Sequence, residues 1–185
     1  MGASVVVGGG VVVAFWRGRG LIPVLIRLFS RHRGQAWADV PAHCAVLLED
    51  SEGFTEYEAI STGIRRGEIT RQELDEGTVA PMVMIPVTVP NFDAMVQYLN
   101  EQVGQRYGYE AVAATGLAIV APSWLDRWLS WSWLHLAGGR SGRSCPKDCS
   151  LLVWWALSHA GLTLPGREDG LPVSPNDLLQ LLKRL

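Results

Sequence analysis

The sequence is poor in several things, and each shortage narrows what it encodes. It has only three cysteines in 185 residues, Cys44, Cys145 and Cys149. An odd number argues against a secreted disulfide framework and predicts at least one free thiol. Charged residues make up 18% and the formal net charge is −2. That balance gives no sign of a polyanion partner, so nucleic acid is not expected. No basic segment precedes the Val- and Gly-rich start from Met1 to Ala14, so it does not read as a secretory signal. The longest apolar tract, Gly116 to Gly139, is broken by Asp126, Arg127 and His135, and a charge at a bilayer centre costs at least about 2.5 kcal/mol. A membrane-spanning helix is therefore not expected, and the cytoplasm is the default compartment. Internal repeats and low-complexity linkers are also lacking, so residues 1–185 are expected to form a single domain.

What is present is apolar and aromatic: 48% of residues are hydrophobic and eight are tryptophan. β-Branched residues predict a strand over Val11–Trp16. Leu21, Val24, Leu25, Leu28 and Phe29 recur at helical spacing, with Arg27 and Arg31 on other faces, which predicts an amphipathic helix from Leu21 to Arg33. His43–Leu48 and Phe54–Ile60, separated by a turn, predict a β-hairpin. The charged stretch Gly63–Gly77 reads as a mobile connection ending in a short helix, because Thr70 and Glu73 are spaced as a capping box. A third strand is expected over Met82–Val89, and a helix from Phe92 to about Val103 capped by Asn91. Glu110–Val120 and a Trp-rich segment, Trp124–Leu136, read as further helices. Cys149–Ala160 and Ser174–Leu185 complete the set, with Pro175 at the first position of the last helix. Strands and helices interleave without regular β-α alternation, so the fold class is α+β.

A thiol becomes a useful nucleophile at neutral pH when its surroundings favour the thiolate, and a helix N-terminus does this with its unpaired N–H groups and dipole. Cys149 follows a polar loop and opens an apolar helix with Leu152, Val153, Ala156, Leu157 and Ala160 along one stripe. His43, at the start of an apolar strand, is the candidate base. Strand alternation turns Cys44 to the opposite face, which makes it a poor partner for His43 and a small core residue. Glu56 and Glu58 share one face of the neighbouring strand, and either could orient the imidazole. Cys145 and Cys149 lack the C-x-x-C spacing of structural zinc sites, so no metal is expected, although a Cys145–Cys149 disulfide or redox pair is an alternative. Nothing calls for a cofactor. His32, His135 and His159 have no partner pattern.

In chain order, the motifs are Val13–Ile22, His43 with its apolar strand, Tyr57-Glu58-Ala59 before Thr62-Gly63-Ile64, Gly104-Gln105-Arg106-Tyr107, Cys149–Val153 and Val173–Leu178. This order resembles the circularly permuted branch of the NlpC-type papain-like cysteine hydrolases, the YiiX-like group, in which the His strand precedes the Cys helix. The resemblance implies a papain-like antiparallel sheet packed against helices and hydrolysis of an amide bond, as in a peptidoglycan-type peptide or isopeptide. It also implies a Cys149, His43, Glu58 triad, with Tyr107 lining the substrate site. The insertion at about 110–138 departs from the family pattern. Its Trp124, Trp128 and Trp131 form a stripe that core packing could explain. With Trp133 nearly opposite Trp131, however, the helix is apolar over too wide an arc for an ordinary surface helix, and contact with a membrane surface, a partner protein or a hydrophobic substrate is the other explanation there. The alternatives are a lipid-directed acyltransferase or thioesterase, and a catalytically inactive binding module.

Overall fold

The computed structural model describes residues 10–18, 20–32, 34–108, 147–164 and 173–185. Five strands form one antiparallel sheet: β1 (Val11–Trp16), β2 (His43–Glu49), β3 (Gly53–Ile60), β4 (Gly63–Thr70) and β5 (Val83–Val87). Their spatial order is β4-β3-β2-β1-β5. Among the described residues five α-helices accompany them: α1 (Leu21–Ser30), α2 (Arg71–Asp75), α3 (Phe92–Gln102), α4 (Cys149–His159) and α5 (Pro175–Leu182). The architecture is α+β, as the interleaved pattern predicts. Cys145, His135 and the Trp-rich insertion lie outside the described residues.

Alternation along the strands sends side chains to two different layers. Val11, Val13 and Phe15 of β1, Cys44, Val46 and Leu48 of β2, and Tyr57 and Ala59 of β3 face the main core. There they meet Met95, Tyr98 and Leu99 of α3, Leu152, Val153, Ala156 and Leu157 of α4, and Leu178, Leu179 and Leu182 of α5. The opposite face packs Val12, Ala14, Leu47, Phe54 and Ile69 in a smaller cluster with Leu74 and Val79. Helix α4 is buried on nearly every side, Leu151 and Trp154 included. The single apolar stripe expected of it is thus too narrow a description: a helix apolar all round is a core helix.

Two expectations need correction. Gly63–Thr70 is not a mobile connection but an edge strand, paired along its length with β3. Its two apolar residues, Ile64 and Ile69, differ in parity, so one enters each core cluster and no run of alternation is left in the sequence. The charges between them suit an edge strand exposed to solvent. The capping box does form, with Thr70 and Glu73 each bonding the other's backbone N–H. The second correction concerns α1. The helix forms, but Val24, Leu25 and Leu28 are exposed while Arg27 is buried.

Gly63 positions the approach to α4. Its φ of +130° is one that L side chains rarely adopt, and a Cβ there would stand 2.7 Å from the Gln105 carbonyl oxygen. This close approach allows Ile64 N–H to donate to Gln105 O at 2.9 Å, and Gly104 N–H to donate to Ile64 O at 2.8 Å. Two residues on, Tyr107 bridges Lys147. The chain is thereby pinned two residues before Cys149.

Candidate active site

Cys149 is the first residue of α4, and Asp148 is its N-cap. The Asp148 carboxylate accepts from Leu151 N–H at 2.8 Å and from Ser150 Oγ at 2.9 Å, which anchors the first turn. Lys147, buried just before it, donates to Gln102 Oε1 at 2.8 Å. The sequence places Cys149 at a helix start, and the cap geometry bears this out.

His43 is the first residue of β2 and pairs with Trp16, the last of β1. The Trp16 and His43 rings lie 5.7 Å apart, tilted by 42°. Glu58 sits opposite Ala45, one diagonal step across the strands from His43, a spacing long side chains can bridge. It does so: His43 Nε2 and Glu58 Oε2 are 2.8 Å apart. Glu56 makes no such bond, so of the two carboxylates left open by the sequence it is Glu58 that holds the ring. Glu56 shares the face, and burial together with the Glu58 charge pushes its carboxyl up to about 7.

Glu58 has a second partner. Arg65 Nε donates to Glu58 Oε1 at 2.6 Å, and Arg65 Nη2 pairs with the same oxygen. Burial alone would raise the Glu58 carboxyl, but the bonds and charges of His43 and Arg65 outweigh it and hold the carboxyl below its ordinary value. Sequence reasoning missed Arg65 because the strand that carries it was unrecognised. Once β4 is in register, Arg65 lies directly across from Glu58.

The Cys149 thiol stands close enough to His43 for hydrogen bonding and charge to pass between them. With Nε2 taken by Glu58, Nδ1 is the ring nitrogen left for the sulfur. Desolvation would lower the His43 pKa, but Cys149 and Glu58 overcome it and raise the imidazole to about 10. Cys149 moves the other way. A hydrogen bond from the Cys44 thiol is the largest cause, joined by the His43 charge and the Cys44 backbone N–H, and together they hold Cys149 well below a normal thiol against its burial. Cys44, fully buried and in contact with Cys149, is held in its protonated form. Parity is right that Cys44 is a core residue turned away from the His43 face. What parity could not show is that the start of α4 packs where the two faces meet, so that the Cys149 sulfur reaches both neighbours.

Asp148 is fully enclosed, and burial followed by the Cys149 charge pushes its carboxyl up to about 7. Tyr107 is partly buried against the main core and one bridge away from Lys147. His32 pairs with Asp177 at 3.0 Å, and His159 stacks on Tyr98 at 4.1 Å while its Nδ1 lies 2.7 Å from Trp155 O. Both are satisfied away from the thiol. Among the described residues no group of three or more His, Cys, Asp or Glu side chains could hold a metal ion, and no helix is long and apolar enough to cross a membrane. Comparison with protein-family models, with curated proteins and with solved structures gives no match to this chain.

Proposed function

We propose that the chain is a papain-like cysteine hydrolase of the circularly permuted NlpC type, cleaving an amide bond with Cys149 as nucleophile. The observation that carries the reading is the convergence on one sulfur. A helix-capped thiol with a depressed pKa stands beside an imidazole with a raised one, and Glu58 holds the far side of that ring at 2.8 Å. Separately these features are ordinary. Joined, they form a thiolate–imidazolium pair with its orienting carboxylate, the arrangement nucleophilic acyl transfer requires.

In this mechanism the Cys149 thiolate attacks the substrate carbonyl, and the carbon–sulfur bond forms as the π electrons move to oxygen. The Cys149 backbone N–H, at the first helical position, supplies one donor to that oxyanion. Collapse of the intermediate breaks the carbon–nitrogen bond, and the imidazolium of His43 gives its proton to the departing amine. Water then attacks the thioester while neutral His43 takes its proton. Release of the acid restores thiolate and imidazolium. Glu58 keeps Nε2 protonated throughout, so that Nδ1 is the nitrogen that exchanges the proton.

Labelling with iodoacetamide, followed by peptide mass spectrometry, tests the premise. Cys149 is expected to alkylate ahead of Cys44 and Cys145, and to keep reacting at pH 6, where an ordinary thiol with pKa about 8.5 is almost wholly protonated. Equal labelling of the three cysteines, or reactivity that appears only above pH 8, would sink the reading.

A further inference from the structure

The connection between Trp16 and His43 carries a helix that leaves three aliphatic side chains exposed and buries an arginine. In α1 the buried residues include Arg27 and Ser30, while Val24, Leu25 and Leu28 are 44%, 39% and 57% exposed. The inward side is secured by polar contacts. Arg27 lies over the Trp37 ring at 4.3 Å and donates to the Trp37 carbonyl, and Asn176 of α5 donates to Ser30 O at 2.7 Å. At 100° per residue, Val24, Leu28 and Arg31 follow one line along the helix, with Leu25 beside it. Arg31 and Arg17 are exposed, and their Nε atoms bond to Gln35 O and Ala38 O.

The charge of this region is as one-sided as its hydropathy. Arg17, Arg19, Arg27, Arg31 and Arg33 precede Asp39, the first carboxylate in the sequence, although the whole chain carries a net −2. Exposed aliphatic residues flanked by arginines, with Asp39 at the far end of the connection and Asp177 taken by His32, match a surface that offers both anionic charge and an apolar interior. Nucleic acid would use the charge but leave the aliphatic residues in water. A second copy would set arginine against arginine across a twofold interface.

We propose that the Trp16–His43 connection docks the protein on an anionic membrane surface, with Val24, Leu25 and Leu28 entering the headgroup region and Arg17 and Arg31 meeting lipid phosphates. Both ends of the connection are residues of the candidate site, because Trp16 and His43 are paired across β1 and β2. Docking therefore holds the site close to the bilayer. If Cys149 is the nucleophile, the substrate class that follows is an amide or acyl compound anchored in or lying against the membrane. Only this substrate clause rests on the enzymatic reading.

The test is flotation of the full chain with vesicles of phosphatidylcholine alone, or of phosphatidylcholine and phosphatidylglycerol at about 3:1, over a range of salt concentrations. Binding is expected to the anionic vesicles and to fall as salt rises. Leu28→Glu should lower it by at least about tenfold, and Arg31→Gln by about fivefold. Cys149→Ala should bind like the unaltered protein, which separates docking from catalysis. Leu28 is more than half exposed, so an unchanged circular dichroism spectrum is expected of Leu28→Glu. Failure to bind anionic vesicles, equal binding to neutral ones, or undiminished binding by Leu28→Glu would each overturn the proposal. So would self-association abolished by Leu28→Glu in a protein that ignores lipid.

Discussion

The candidate site and helix α1 are joined by a few residues and obey opposite rules. At the site, three polar groups are largely enclosed and each has partners: Glu58 is held by His43 and Arg65, His43 by Glu58 and Cys149, and Cys149 by His43 and Cys44. On α1, apolar groups face solvent and an arginine is buried. A buried charge is tolerable only when paired, since its desolvation costs several kcal/mol. Exposed apolar side chains carry a cost that contact with another surface relieves. The first arrangement is satisfied by groups within the chain, whereas the second is the one that the proposed docking would complete. The first feature is what the proposed chemistry needs, and the second is what the proposed docking needs.

Removing the base should break the first half of this comparison most severely. His43→Ala deprives Cys149 of its positive neighbour, so iodoacetamide reactivity at pH 6 should fall by about a thousandfold, on the scale of triad removals. An unchanged rate at that pH would mean that the helix terminus and Cys44 alone sustain the thiolate. Far-UV circular dichroism of the variant checks that the sheet survives.

Glu58→Gln should act next most strongly, and its sign follows from the two pKa shifts. The proposed thiolate–imidazolium pair would exist above the depressed pKa of Cys149 and below the raised pKa of His43, about 10. Glu58 contributes to the second of these through its hydrogen bond and charge. An amide can still accept from Nε2–H but carries no charge, so the high-pH limb of reactivity should move down from about 10 while the low-pH limb, set by Cys149 beside an already protonated ring, should not move up. A tenfold to hundredfold loss at pH 7 is expected, the range seen when an orienting partner is removed. A profile that merely scales down without narrowing would assign Glu58 a structural role only.

Asp148→Asn should have a smaller effect of opposite sign. The amide oxygen can still accept from Leu151 N–H, so the cap is kept and the cost in stability should stay within about 1 kcal/mol. The negative charge beside Cys149 is lost, and the thiolate no longer competes with a neighbouring carboxylate. The acid limb of labelling should therefore move to lower pH, a gain of a few fold where the thiolate is only partly formed. Asp148→Ala, which removes the cap as well, should lower the melting temperature without that gain.

The smallest effect sharpens the comparison from the other region. Leu28→Glu, which alters the exposed face of α1, should leave Cys149 alkylation in free solution unchanged within error. A large change there would show that α1 is part of the catalytic machinery and not a separate docking element.

Most of the elements were legible because they carry period or punctuation. β1 and β2 are β-branched or continuous apolar runs, Asn91 and Ser174 cap α3 and α5 with their side chains, and the Thr70–Glu73 capping box marks α2. Cys149 could be placed at a helix start because a polar loop ends there and an apolar run begins. β4 was not legible, since an edge strand with one apolar residue for each face has no alternation to read. With β4 went Arg65, whose place opposite Glu58 exists only in the register of the sheet. The choice between Glu56 and Glu58 was likewise beyond reach of the sequence, because both residues have the same parity and only the position of His43 at the strand end selects between them.

The sequence by itself determined which chemistry is available: a thiol at a helix terminus, an imidazole opening a strand, a carboxylate pair on the next strand, and an arginine-rich helix with apolar spacing. Those follow from local propensity, capping and parity, which act over a few residues. The tertiary structure alone decided that Cys149 meets Cys44 and His43 together, that Arg65 completes the Glu58 network, and that α1 leaves Val24, Leu25 and Leu28 exposed. Each depends on how α4, β4 and α5 pack against elements distant in the chain, and side chains brought together from separate segments by packing leave no periodicity that one segment could reveal.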